Sequence, residues 1–468
     1  MQDNKKLIHY LKSQLVSNPT DTKLLLHLGV LLLNSDNIDE AISILRKAYD
    51  ISPNSFDITF HLANCYLKRR DFVAAKDLFF QSLNLNPQDI DSYINIAICL
   101  RYLNQHKEAI KYLEKGLLIN PHDPDLYLNR GVLYRELLML DDAIRDYKKV
   151  IQINPKDYYG YYNLSLVYLL KGDYKRGFAL YQSRWKTDDF LKLTKPKKQW
   201  NGIIDNFVLL LRTEQGFGDT IQFIRYSKYF AEKGITVKVK CQPQLVELLR
   251  NNCGIKEIHY DENELGNYDF DTYLLDVPYL LKTDLNSIPV DIPYIFARDS
   301  KIEGFKSLTS KSKKYKIGIC FSGSKTNTRA INRSINVEEL IALLKINRNI
   351  SYYSLQIADS LGDLLKLSDD IRPTNLSQYL RDFSDTAGLI YHMDSVITID
   401  SSIAHLAGAM GKETFLILNY SSDWRWLIDI EYSPWYPTIK ILRQDKPFDW
   451  SNVIARLIKI VKELESKD

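Results

Sequence analysis

Pro19, Pro53, Pro87, Pro121 and Pro155 stand 34 residues apart, and a step kept this long leaves few folds open to the first part of the chain. Ala41, Ala75, Ala109 and Ala143 share it, as do Gly29, Ala63, Ala97, Gly131 and Ser165. Small residues recur where two antiparallel helices come close. Proline recurs where a helix stops, because its nitrogen carries no hydrogen. The pattern predicts tandem helix–turn–helix units, each burying its apolar face against the next.

A period of 34 residues is that of the tetratricopeptide repeat. The frame predicts a capping helix at 3–17 and repeats at 22–55, 56–89, 90–123, 124–157 and 158–191, an α-solenoid over residues 1–191. The fifth repeat departs from the others. Gly177 stands where they have alanine, and its second helix, DYKRGFALYQSRW, ends in aromatic and basic residues instead of proline. A terminal repeat deviates when one face meets something other than a repeat, here the next domain. KLTKPKKQW (192–200) opens the linker at 192–205.

At 468 residues the chain is too long for one core, and two or three domains are expected. Its net charge of +4, from 62 basic and 58 acidic residues, gives no broad electrostatic footprint, so nucleic acid is not an expected partner. Cys65, Cys99, Cys241, Cys253 and Cys320 include no CxxC pair and no histidine at ligand spacing, which argues against disulfides, zinc or another bound metal. That usage suits a reducing cytoplasm. The N-terminus, MQDNKKLIHY, lacks the apolar core of a signal peptide. No run approaches the roughly 18 apolar residues of a membrane span. The expectation is a soluble, cytoplasmic protein.

After Trp200 the period changes. FVLLLR (207–212), ITVKVK (235–240), IKEIHY and FDTYLL (270–275) read as strands, separated by helical TIQFIRYSKYFAEKG and QLVELLRNN. Residues 279–312, rich in Pro, Asp, Ser and Lys, suggest a hinge. The alternation then restarts with KIGICFSG (316–323), a helix near 336–347, YYSLQ (352–356), SVITID (395–400), a helix from 402, TFLILN (414–419), IKILRQ (439–444) and a last helix, WSNVIARLIKIVKELE. Strands alternating with helices make parallel sheets covered on both faces. The α-solenoid is thus followed by two doubly wound α/β halves, over 206–300 and 301–468, facing each other across a cleft. Ligands of such sheets bind at the carboxyl ends of the strands.

Three segments carry chemistry. EQGFGDTIQFIRY (214–226) is a strand-to-helix turn in which Gly216 and Gly218 let a ligand approach the backbone. Asp219 at the helix start serves either as a general base toward an acceptor hydroxyl or as an ordinary N-cap. ITIDSSIAHLAGAMGK (397–412) ends a strand at Asp400, suited to accepting hydrogen bonds from sugar hydroxyls. The helix that follows opens with Ser401, Ser402 and Ile403, an anion site suited to a diphosphate. His405, one turn in, either points into the cleft or packs on the sheet. SGSKTNTRAINRS (322–334) is a basic loop in which Ser324, Lys325, Arg329 and Arg333 suit a nucleotide diphosphate; the alternative is a solvated loop. Gln356, at a strand end, is a candidate contact to base or ribose. Two further motifs read as structural: Asp269-Phe270-Asp271, which spells the DxD of metal-dependent glycosyltransferases, and SSDWRWL (421–427), whose two tryptophans around an arginine could stack on a base but which reads as a helix packed on the sheet.

In this order GFALYQSRW, EQGFGDTIQFIRY, DFSDTAGLIYHMDSVITIDSSIAHLAGAMGK and DWRWLIDIEYSPWYP make nearly the whole chain resemble bacterial proteins that fuse tetratricopeptide repeats to a heptosyltransferase-like glycosyltransferase domain, of the family 9 type. The resemblance implies a GT-B architecture of two Rossmann-like halves, the first on the acceptor side and the second on the nucleotide-sugar side. It also implies a metal-independent inverting mechanism, no cofactor, and a nucleotide-diphosphate sugar as co-substrate. The proposed base of that family falls on Asp219. Its second-half D[ST]xxxH motif puts Asp400 on the donor sugar and Ser401, Ser402 and Ile403 at the phosphate-binding helix start. Relatives usually carry threonine where this chain has Ser401, and a His…Asn-Asp pattern where it has TNTRAINRS.

At the sixth position of successive repeats stand His27, His61, Asn95, Asn129 and Asn163. On a superhelix these line the concave wall, and asparagines at regular intervals suit an extended peptide backbone. The ladder resembles that of eukaryotic protein O-GlcNAc transferases, which also join such repeats to a GT-B enzyme. The expected function is a glycosyltransferase whose repeats hold a protein acceptor, with His61, Asn95, Asn129 and Asn163 on the acceptor peptide. The alternatives are a non-catalytic scaffold with a sugar-nucleotide-binding domain, or a transferase acting on a saccharide or lipid-linked acceptor.

Overall fold

The structure, a computed structural model, describes residues 2–214, 216–250, 252–310, 312, 314–323, 333–356 and 361–466. The chain divides into two compact units, Met1–Asn163 and Leu164–Asp468.

The first unit is a stack of helix pairs. A leading helix α1 (Gln2–Ser17) precedes α2 (Thr22–Asn34) and α3 (Ile38–Ile51), α4 (Phe56–Lys68) and α5 (Phe72–Leu85), α6 (Ile90–Tyr102) and α7 (His106–Ile119), and α8 (Pro124–Glu136) and α9 (Leu140–Ile153). Aspartates start several of them: Asp21, Asp89 and Asp123 each accept amide hydrogens from the first turn that follows. The small residues of the 34-residue step sit where neighbouring helices touch. A Cβ on Gly29 would stand 2.4 Å from Leu45, and one on Gly131 2.6 Å from Tyr147. Within each pair the turn uses a left-handed residue at the same step: Asp36, Arg70, Asn104 and Leu138, with φ between 56° and 65°. The helix α10 (Tyr158–Leu170) runs across the boundary between the units, so α11 (Tyr174–Tyr181), which the repeat frame assigns to the solenoid, lies in the second unit.

One polar cluster is set among the apolar contacts of this stack. Arg101 Nε donates to Glu136 Oε1 and Oε2 at 2.9 and 2.8 Å, and His106 Nε2 lies 2.9 Å from Oε2. Burial alone would push the Glu136 carboxyl up, but the hydrogen bonds from His106 and Arg101 outweigh it and hold it down to about 2. A carboxylate whose folded pKa is depressed adds stability above its unfolded pKa and loses it as the pH falls through the folded value. The repeats should therefore weaken between pH about 4.5 and about 2, by an amount on the order of 2–3 kcal/mol for this group. Urea unfolding of Glu136→Gln against the parent across that window checks it, because the variant should lack this part of the slope.

The second unit holds two sheets, each wholly parallel. β1 (Val208–Arg212), β2 (Thr236–Lys240), β3 (Ile255–His259) and β4 (Phe270–Tyr273) run in the order β3-β2-β1-β4. β5 (Tyr315–Cys320), β6 (Ile350–Ser354), β7 (Thr374–Asn375), β8 (Ser395–Ile399), β9 (Thr414–Leu418) and β10 (Ile439–Arg443) run in the order β10-β9-β8-β5-β6-β7. The chain winds from β1 to β2 and β3 and returns to β4 on the other side of β1, and from β5 to β6 and β7 and returns to β8 on the other side of β5, so each sheet reverses its strand order there. A crevice opens beyond the strand ends at such a reversal.

The segment expected to be a hinge is packed instead. Residues Asp299–Thr309 form a helix whose Lys301 meets Asp385 at 2.6 Å, and Ile302 O lies 2.7 Å from His392 Nε2. Before it, Tyr294 is buried, donating its amide to Ala409 O and its hydroxyl to Ile221 O. A few apolar residues among many polar ones, Ile288, Tyr294, Ile295 and Phe305, do this work, and bulk composition hides them.

The helix after β1 is broken into Phe217–Phe223 and Arg225–Glu232. Arg225 inserts at the break, donating to Gln222 O at 2.8 Å, and reaches Trp435 O at 2.8 Å and Pro289 O at 3.0 Å. The Asp-Phe-Asp motif is structural. Asp271 is fully buried, accepting from Arg212 Nε at 2.7 Å and from the amides of Lys197 and Lys198.

Candidate functional site

Four segments at the carboxyl ends of strands bring charged side chains together in the second unit: the turn after β1, residue 333 in the connection leaving β5, the start of the helix after β8, and the turn after β9. From the first, Asp219 Oδ1 lies 2.7 Å from Arg425 Nη2 of the last. Arg425 Nη1 also meets Asp423 at 2.7 Å. Arg333 Nη1 donates to Asp400 Oδ2 at 3.0 Å, while Trp426 Nε1 donates to Asp400 Oδ1 at 3.0 Å. Sequence reasoning had separated Asp219, Arg333 and Asp400 from the DWRW motif; the fold puts them in one electrostatic neighbourhood.

Asp219 is not an N-cap. Gly216 occupies that place, and Asp219 lies in the first turn of the helix with its carboxylate folded back over the glycine. A Cβ on Gly216 would stand 2.6 Å from Asp219 Oδ2, so the glycine makes room for the carboxylate. Burial pushes the Asp219 carboxyl above its ordinary range; Arg425 pulls it down, and Asp423 and Asp400 reinforce the rise. Gly218 has a different neighbour: a Cβ there would stand 2.7 Å from His405 Cδ2.

His405 is packed. It is buried, stacks on Trp426 with ring centres 5.2 Å apart, and its Nδ1 lies 3.1 Å from the Tyr436 hydroxyl. Burial, with Arg425 adding to it, lowers its pKa to about 3, so the ring is neutral at any ordinary pH. Ser401 caps the helix Ser402–Ala409 with its own hydroxyl, which accepts from Ile403 N at 3.3 Å and lies 3.2 Å from Thr398 Oγ1. Ile403 is buried and Ser402 half-buried at the mouth. Gln356 is also buried, and its Oε1 accepts from the amides of Phe321 and Ser322 at 2.8 Å each, tying down the end of β5. That carboxamide oxygen secures the backbone rather than reaching outward to a base. Ser324, Lys325 and Arg329 lie outside the described residues.

The SSDWRWL motif does not form a helix packed on the sheet. Trp424–Trp426 make one 3-10 turn, followed by Leu427 at φ 45° and Asp429 at φ 55°. Arg443 at the tip of β10 holds this turn by donating to Trp426 O at 3.0 Å and Leu427 O at 2.6 Å. Arg425 stacks on Trp424, its guanidinium 4.4 Å from the ring centre. Asp423, Arg425 and Trp426 belong to a motif that reads from sequence as structural, and Tyr436 carries no site role there. The signal was positional, since DWRW directly follows β9 as Asp219 follows β1.

In the repeats, the sixth-position residues keep their step, and two of the asparagines bond back to their own helices. Asn129 Nδ2 donates to Asp125 O at 2.8 Å and Asn163 Nδ2 to Tyr159 O at 3.0 Å. Asn95 Nδ2 points to Asn64 Oδ1 at 3.5 Å, and burial lowers the pKa of His61. Among the described residues no group of three or more His, Cys, Asp or Glu is placed to hold a metal ion. No described helix is long and apolar enough to cross a membrane.

Residues 17–116 match the family described as anaphase-promoting complex, cyclosome, subunit 3, and residues 124–157 and 146–178 match tetratricopeptide repeat families. The N-terminal helix pairs are tetratricopeptide repeats. Protein FlbA of Caulobacter vibrioides is 21% identical over 327 residues, 64% of this chain. The chain spans 54% of that relative's length. Among solved structures, YrrB, a TPR protein with an unusual peptide-binding site, is 20% identical, covers 38% of this chain and 91% of its own, and has a TM-score of 0.31. A thermophilic TPR protein of Thermus thermophilus is 20% identical over 36% of this chain and 91% of its own, with a TM-score of 0.32. A tetratricopeptide repeat protein from Parabacteroides merdae is 16% identical over 50% and 83% of the two chains, with a TM-score of 0.39.

Proposed function

We propose that the second unit is a metal-independent inverting glycosyltransferase of GT-B type, taking a sugar from a nucleotide-diphosphate donor to a hydroxyl of a protein held by the repeats. The observation that carries this reading is the ion pair of Asp219, from the turn after the first sheet's β1, with Arg425 from the turn after β9, within electrostatic reach of a second pair, Arg333 with Asp400. Two parallel sheets with charged groups converging at their carboxyl ends suit a nucleotide-sugar. The sequence resemblance over GFGD and DSSIAH points the same way.

The chemistry then assigns itself. Asp219 takes the proton from the acceptor hydroxyl, whose oxygen bonds to the anomeric carbon as the bond from that carbon to the diphosphate oxygen breaks. The diphosphate leaves with the electron pair, and the arginines neutralise it. Displacement from the opposite face inverts the anomeric centre. A reducing, cytoplasmic setting suits five thiols that are all outside disulfides.

The test starts with donors: thermal shift of the full chain across a panel of nucleotide sugars, then hydrolysis of the donor that binds. If none binds, the enzyme reading falls. A second reading, a scaffold that binds a sugar nucleotide without turning it over, draws on the engagement of both Asp400 oxygens and of Asp219 in ion pairs or hydrogen bonds. Donor binding without turnover in any acceptor extract would favour it.

For the repeats, the carboxamide oxygens of the ladder are the groups offered to an acceptor backbone. Changing Asn95, Asn129 and Asn163 together to alanine should lower modification of a protein acceptor by about tenfold or more while donor hydrolysis stays within about twofold. Intact-mass analysis of the acceptor reads the first and nucleotide release the second. Unchanged modification would remove the ladder from the acceptor site.

A further inference from the structure

Arg425 is buried and stretched between two carboxylates, Asp219 and Asp423, each at 2.7 Å. Among the described residues its Nε is buried with no hydrogen-bond partner. A charged N–H left this way is costly and leaves the guanidinium with donor capacity to spare. The backbone beside it is strained as well: Leu427 at φ 45° is a branched residue in the left-handed region, kept there by Arg443. The fold thus goes to some expense to present this guanidinium at the strand ends.

The carboxylates around it already outnumber the guanidiniums. Asp219, Asp400 and Asp423 stand against Arg333 and Arg425, and every described contact of Arg425's two terminal nitrogens is to a carboxylate. A diphosphate brings two or more negative charges into the same space. It cannot join these carboxylates without strong charge repulsion at close range, so one of them has to leave. Asp219 is the candidate to move: its side chain is 32% exposed, whereas Asp400 is 6% exposed and doubly held. Asp423 also caps its own turn through Arg425 N.

Resting on the glycosyltransferase reading, we infer that Arg425 is a diphosphate-binding residue that Asp219 occupies until the donor arrives, so that donor binding displaces Asp219 and sets the base free. The exchange has a chemical consequence. A carboxylate paired with an arginine is a weak base; once the diphosphate takes the guanidinium, Asp219 loses its counter-cation and its proton affinity rises beside the acceptor hydroxyl. Planar guanidinium suits both partners, its two terminal nitrogens on two carboxylates in one state and bidentate to phosphate in the other. The base would then be active only in the donor complex.

Calorimetric titration of the full chain with inorganic pyrophosphate, and with a panel of nucleoside diphosphates, tests the exchange. Removing the competing charge should strengthen binding: Asp219→Asn and Asp423→Asn should each bind pyrophosphate about five- to twentyfold more tightly than the parent. Arg425→Lys, which keeps the charge but loses the fork, should weaken it about tenfold, with thermal unfolding recorded as the control. The Asp219→Asn arm stands on its own if Arg425→Lys does not fold. If the parent binds diphosphates and Asp219→Asn binds them no more tightly, the exchange is wrong and the enzyme reading survives. If parent and both carboxylate variants bind none of them, both fall.

Discussion

Asp219→Asn is expected to cut sugar transfer on the order of 10²–10⁴-fold, the usual contribution of a positioned general base. The expectation comes from where the carboxylate sits. It folds over Gly216 in the first turn of a helix, faces the strand ends of the second sheet, and is pushed up by burial, with Asp423 and Asp400 adding to the rise. Asparagine keeps the shape and loses the lone pair that takes the proton. Burial of the charged carboxylate outweighs the pull of Arg425, and Arg425 keeps Asp423 when Asp219 is neutralised, so thermal unfolding should hardly move. The kinetic signature is a fall in kcat without a rise in the donor's KM. The parent should also show a rate that declines as the pH drops through the raised Asp219 pKa, a limb missing from the variant. Transfer within tenfold of the parent would take the role of base away from Asp219.

How far the residues alone led depended on whether each signal was local. The 34-residue step is local and repeated, so the first helix of each pair starts where a repeat is expected to start, at Thr22, Phe56, Ile90 and Pro124. Strands such as Val208–Arg212 and Ser395–Ile399 were equally legible, as short apolar runs ending at Gly-, Asp- or Ser-containing turns. β7 was not, because two residues, Thr374 and Asn375, carry no period. The break at Ile224 escaped too, since what makes it is a guanidinium inserted from Arg225 and anchored on Pro289 and Trp435, far away in sequence. Left-handed Leu138 had no signal at all; only its phase with Asp36, Arg70 and Asn104 marks it.

The site divides in the same manner. Asp219 and Asp400 were found because each follows an apolar strand and opens a helix, a position with chemical meaning of its own. The partner of Asp219, Arg425, lies in a motif whose two tryptophans beside an arginine read as packing, and they do pack: Trp426 covers His405 while its Nε1 holds Asp400. Gln356 and Ser401 had the right chemistry and the right strand ends. Their polar atoms are turned onto backbone amides, of Phe321 and Ser322 in one case and Ile403 in the other. Which way a side chain turns is decided by the nearest unsatisfied backbone group, and spacing does not report it.

The fifth repeat's second helix ends in Gln-Ser-Arg-Trp where the others have proline, and Arg184→Ala should destabilise the second unit by about 3–5 kcal/mol. Arg184 has no exposed surface; its Nη2 lies 2.7 Å from Glu214 Oε1 and 2.7 Å from Asp276 Oδ1, and Trp185 Nε1 donates to Asp276 at 3.2 Å. Alanine would leave two buried carboxylates facing each other with no cation. Burial already pushes the Glu214 carboxyl up, against the pull of Arg184, so without that pull one or both carboxyls must fold protonated. The pH dependence of the variant follows with a definite sign. Carboxyls whose folded pKa is raised favour the folded state below their unfolded pKa, near 4, and that contribution is lost as the pH climbs through the folded value. Arg184→Ala should therefore be closest to the parent in acid and furthest from it at neutral pH, which urea titrations at pH 4 and pH 7 would read directly. Exchanging all three groups for neutral ones, Arg184→Met with Glu214→Gln and Asp276→Asn, should recover most of the loss, since an intact buried triad is worth little beyond a well-packed neutral one. Glu214 precedes the turn that carries Asp219, and Gln242 Nε2 ties its carbonyl at 2.7 Å. The single variant should therefore lose transfer activity along with stability, and the triple variant should regain both. A parent-like urea midpoint for Arg184→Ala at pH 7 would mean that this arginine does not hold the tail of the repeats to the first sheet.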